Sequence, residues 1–115
     1  MPHINMAMPV LPGKEDDARA FAAAVVGSRR AEFDAAQAEA GITRETWTLH
    51  PTPSGMMMLV WFECDDVEAA LTAGATATDE FGVWFRGQVK TVTGFDMDGE
   101  GDPAPPLETL VDWTG

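Results

Sequence analysis

The sequence predicts an α+β fold, one antiparallel sheet with helices packed on one of its faces. Three observations point to it. Strand-like segments rich in apolar, β-branched and aromatic residues recur at residues 3–10, 43–50 and 56–64. A long Ala-rich stretch with helical periodicity lies between the first two. The break "PTPSG" lies between the second and third, as in an antiparallel hairpin with a longish loop.

The first strand, "HINMAMPV", alternates Ile4, Met6, Met8 and Val10 against His3, Asn5, Ala7 and Pro9. Pro9 lacks an N–H and puts this strand end at an edge or a bulge. "PGKEDD" follows. Pro12 and Gly13 stop the strand, and three acidic residues suit the positive end of a helix. The periodicity then predicts one helix over residues 15–40, capped by Gly41. "TRETWTLH" and "MMMLVWFEC" form the hairpin. Asp65 or Asp66 caps a short helix in "DDVEAALTAG", and "TDEFGVWFRGQVKTVTG" makes a further helix that ends near Gly94. Residues 95–106 are an acidic, Pro-rich connection, and "LETLVDW", residues 107–113, alternates as a last strand. The order strand, helix, strand, strand, helix, helix, strand gives a ferredoxin-like split βαβ sheet in a single domain over residues 1–115, with its core in 3–94.

Charge narrows the partners. Nineteen acidic residues against seven Lys and Arg give a net charge of -12, which repels nucleic-acid phosphates and anionic lipid. No apolar run is long enough to cross a bilayer, and the N-terminus lacks the basic start and long apolar stretch of a secretion signal. Cys64, the single cysteine, excludes an intramolecular disulfide framework and suits a reducing compartment, so the cytoplasm is expected. "DMDGEGD" opens like a calcium loop, but its twelfth position is Leu107 and no helix follows. With no ligand cluster and no Gly-rich phosphate loop, neither metal nor cofactor is expected.

The third strand splits into Met56, Met58, Val60, Phe62 and Cys64 against Met57, Leu59, Trp61 and Glu63, and the second into Trp47 and Leu49 against Thr46, Thr48 and His50. Apolar residues on both sides predict a cover on both sides: helices on one, a second sheet on the other. Asn5, Thr46, Thr48, His50, Trp61 and Glu63 are the polar and aromatic groups placed to meet a ligand on these mixed faces. On the long helix, Arg29 falls within the stripe of Ala18, Phe21, Val25, Phe33 and Ala40. A buried guanidinium needs an acceptor, either a ligand's anionic or carbonyl oxygen or a structural partner such as Glu63. His50 is a candidate general base, with Glu63 to fix its tautomer, or else a solvated strand-end residue. Trp84 lies on the shoulder of the Phe81, Phe85 and Val92 stripe, facing a ligand or an interface.

The strand followed by "PGKEDD", the Ala-rich helix, the "TWTLH…MMMLVWFEC" hairpin and "FGVWFRGQV" on the last helix together resemble the dimeric α/β-barrel families, the group of antibiotic-biosynthesis-monooxygenase-like proteins. The resemblance covers residues 3–94 and rests on layout. It implies a homodimer whose open sheet faces close around a central barrel, with a pocket in each chain between sheet and helices. Asn5 and Trp61 match two positions of that group's haem-degrading members. The axial histidine fails, since residues 66–93 contain none. The function so implied is cofactor-independent chemistry, of oxygenase or cyclase type, on an aromatic or polyketide-like molecule. In it Arg29 holds a carboxylate or enolate oxygen, His50 or Glu63 moves a proton, and Trp61 and Trp84 pack on the ring. The alternatives are a non-catalytic small-molecule-binding or stress-related protein and a structural dimerisation module.

Overall fold

The computed structural model describes residues 1–98 and 107–115. Its elements run β1 (His3–Pro9), α1 (Glu15–Val26), α2 (Arg30–Ala40), β2 (Ile42–Thr52), β3 (Gly55–Cys64), α3 (Val67–Thr76) and α4 (Glu80–Thr93). The sheet order is β1-β3-β2, with both pairings antiparallel. Hence β1 and β2 run parallel with β3 inserted between them, the split βαβ arrangement that the element order predicts.

Alternation decides which side of the sheet is the core. Met58, Val60, Phe62 and Cys64 of β3 are buried with Val10, Ala18, Ala70 and Val92. Phe21 and Val25 of α1 join Val89 of α4 against Trp47 and Phe33. All four helices therefore lie on one face. The opposite face is uncovered, and its rows follow from the register. They are His3–Glu63–Arg44, Asn5–Trp61–Thr46, Ala7–Leu59–Thr48 and Pro9–Met57–His50, each ordered β1, β3, β2.

Three expectations are corrected. The helix over residues 15–40 is two helices, broken at residues 27–29. A Cβ on Gly27 would stand 2.7 Å from the Ala23 carbonyl oxygen, so the chain passes itself there too closely for any side chain. The hairpin loop is short rather than long. Thr52 pairs with Gly55, and the Thr52 hydroxyl donates to the Gly55 carbonyl (2.7 Å) while accepting from Ser54 N (3.2 Å). Residues 107–115 form no strand. Most of the acidic connection, residues 99–106, lies outside the described residues.

The helix ends agree with their sequence signals. Gly41 and Gly94 adopt left-handed conformations as C-caps of α2 and α4, with φ of 72° and 77°. The Asp66 side chain accepts from Ala69 N at 3.1 Å and caps α3, and Asp79 does the same for α4 through Gly82 N. Asp66→Ala is expected to cost about 1 kcal/mol, the usual worth of an N-cap, read as a shift in the urea midpoint at unchanged slope.

Candidate functional site

The sheet divides the candidate residues into two groups. Asn5, Thr46, Thr48, His50, Trp61 and Glu63 lie on the uncovered face, while Arg29 and Trp84 lie on the helix side. No chemistry that needs His50 and Arg29 at one atom is available within a single chain.

The uncovered face separates His50 from Glu63. His50 pairs with Met57 and Glu63 with Arg44, so the two stand six residues apart along the strands, about 20 Å. The expected orienting contact does not form. His50 is exposed at the hairpin end, beside Met57 and Pro9 in its row. At the other end Trp61 is the hub. The Arg44 guanidinium lies over its ring at 5.8 Å, and the His3 ring is tilted against it at 6.2 Å. Asn5 and Thr46 flank Trp61 from the neighbouring strands. Met57, Leu59 and Trp61 are half-buried with no helix over them.

On the helix side, six rings pack together: Phe21, Phe33, Trp47, Phe81, Trp84 and Phe85. Phe21 lies 5.0 Å from Trp47, 5.1 Å from Phe85 and 5.5 Å from Trp84, mostly in tilted or edge-on geometry. Phe33 stacks on Phe85 at 6.2 Å. The half-buried Glu45 carboxylate closes one side, accepting from the Trp47 indole N–H and from Gln37 Nε2 (3.0 Å).

Arg29 closes the other side. It is the N-cap of α2 and its side chain is 19% exposed. Its guanidinium lies over Trp84 at 4.2 Å and over Phe81 at 5.3 Å. The expected partner Glu63 is across the sheet. The partners are Glu32, which accepts from Nε at 3.1 Å and Nη2 at 3.2 Å, and Glu80, which accepts from Nη2. The hydrogen bonds to Glu32 and then Glu80 hold the guanidinium above its ordinary range. Among the described residues Nη1 has no acceptor. Glu32 was within reach of sequence reasoning, since a carboxylate three residues on lies on the same helical face. Glu80 was not, because it comes from the first turn of α4.

Neither of two surface recesses is lined by Arg29 or Trp84. One of about 490 Å³ runs along α3 by Asp66, Glu68, Ala69, Thr72 and Ala73. Another of about 370 Å³ lies between α2 and β2 by Arg30, Phe33, Asp34, Gln37 and Glu45. Both are open clefts, and the expected pocket between sheet and helices is filled by the six rings. Cys64 is fully enclosed, and its burial pushes the thiol above the usual range, which suits packing rather than nucleophilic chemistry. No cluster with metal-ligand geometry occurs among the described residues, and none of their helices is long and apolar enough to cross a membrane. Comparison with family models, with curated proteins and with solved structures finds no match to this chain.

Proposed function

We propose that this chain is a homodimeric small-molecule-binding protein that takes an apolar, aromatic carboxylate beside Arg29. The observation that carries the binding reading is a half-buried guanidinium held over Trp84 and Phe81 at the mouth of a six-ring cluster. A planar ring stacks there, and a carboxylate is received by Arg29 in a fork. Glu80, 75% exposed against 46% for Glu32, is the carboxylate that gives way. The uncovered sheet face supports the dimer, since Met57, Leu59 and Trp61 form an apolar centre with polar groups at its rim.

The binding reading is favoured over the enzymatic one on geometry. The oxygenase or cyclase reading asks Arg29 and either His50 or Glu63 to act on one molecule, and they face opposite sides of the sheet. 2-Naphthoate is expected to quench tryptophan fluorescence saturably, and Arg29→Met to abolish the saturable part. Absence of saturable quenching in the wild type at millimolar probe rejects the reading. Light scattering at tens of micromolar is expected to give twice the 12.4 kDa chain mass.

A further inference from the structure

The two outer edges of the sheet are not alike. The outer edge of β2 is protected by a bulge between Ile42 and Arg44, by Arg44 and Glu45, and by Pro51. β1 has none of this along its length. "HINMAMP" carries no Lys, Arg, Asp or Glu, and its only proline is its last residue.

Its hydrogen-bonding phase can be read from its ends. Cys64 N donates to Pro2 O (3.0 Å) and Val10 N donates to Met56 O (2.9 Å). Even-numbered residues of β1 therefore bond inward to β3, and the N–H groups of His3, Asn5 and Ala7 point outward. β3 is the only neighbour of β1 among the described residues.

The same chain carries a segment that matches this edge. Residues 107–113 alternate as a strand and number seven, the length of β1. They lie outside any helix or strand, with Leu107, Leu110, Val111 and Trp113 at 63%, 84%, 81% and 81% exposure. α4 ends beside the end of β1, where Leu11 N donates to Val92 O at 2.8 Å. Twelve residues separate Gly94 from Leu107 and span up to about 40 Å, which exceeds the length of β1. The connection is thus long enough for the segment to reach its own β1 edge, yet the segment forms no strand there.

We propose that residues 107–113 of a second copy pair with the free edge of β1, so that a dimer exchanges its C-terminal segments. Area argues for the exchange. The uncovered face, built of strands of 7, 11 and 10 residues, covers roughly 440 Å² in projection. A standard interface buries ~800 Å² per partner. Sheet pairing alone falls well short. An exchanged segment adds two leucines, a valine and Trp113, and an indole alone contributes ~150–250 Å². This rests on the homodimer reading above.

The test is light scattering and sedimentation on the full chain. Ala7→Pro removes an outward N–H, and Val111→Pro disables the segment at a residue 81% exposed in the single chain and outside the uncovered face. With the wild type dimeric and circular dichroism unchanged, each variant is expected to weaken the dimer by about tenfold or more, because two edge pairings are lost per dimer. Asn5→Cys is then combined in turn with Thr109→Cys, Leu110→Cys and Val111→Cys, and at least one pair is expected to oxidise to a covalent dimer. A cross-linked monomer means that the segment docks on its own chain and overturns the exchange. Dimers insensitive to both proline variants overturn it while leaving the homodimer reading standing. A monomeric wild type overturns both.

Discussion

Phe21→Ala is expected to lower unfolding free energy by about 3–5 kcal/mol, the range for removing a buried phenylalanine. Phe21 is 3% exposed and lies within 5.5 Å of three other rings, from β2 and α4. Its removal leaves a void bordered by Trp47, Trp84 and Phe85. Those large rings are anchored on separate elements and cannot all collapse inward. A domain of this size holds about 5–15 kcal/mol in total, so the variant stands close to unfolding. Urea denaturation followed by far-UV circular dichroism measures it. A loss below 1 kcal/mol would mean that the cluster already tolerates a void, as a ligand site does.

Two glycines of α4 are expected to respond with opposite signs. Gly87→Ala meets nothing within 4 Å on an exposed helical position and is expected to stabilise by about 0.5–1 kcal/mol, the usual penalty of a helical glycine. Gly82→Ala carries the same helical gain but is expected to destabilise by about 1–3 kcal/mol, the cost of overpacking. Its Cβ would stand 2.6 Å from the Ala77 Cβ and 2.8 Å from Asp79 Oδ1. Asp79 is also the cap that accepts from Gly82 N, so relieving the clash weakens the cap. Equal thermal shifts for the two variants would reject the close approach at Gly82.

Much of the sheet was legible because strand alternation leaves no freedom. Once Met58 and Val60 face the helices, Met57, Leu59 and Trp61 must face away, and the observed burial follows that division. The faces of the hairpin were legible, and its register lies in the position of the turn. Placing the turn at Pro53 and Ser54 sets Thr52 against Gly55 and His50 against Met57, which separates His50 from Glu63. For Arg29 only the expected partner, Glu63, was wrong, and for a different reason. A helical stripe predicts neighbours only while the phase is unbroken, and the break at residues 27–29 resets it. Arg29 remains close to the aromatic residues but at a helix start, bonded to Glu32 and to Glu80, 51 positions away. The last strand was read from a real alternation, yet alternation describes a side chain's habit and not its neighbour. A strand exists only where another offers its backbone.

The enclosure of Cys64 makes the lone thiol a clock. It ends the central strand, held by the Cys64 N–H to Pro2 on one side and by the register with Ile42 on the other. No reagent touches it until the sheet parts. Its rate of alkylation, measured well below any denaturing concentration, therefore counts spontaneous openings of the native state. A ligand or a partner chain that closes those openings slows the clock by a factor of one plus the ratio of its free concentration to its Kd, so affinity is readable without a chromophore.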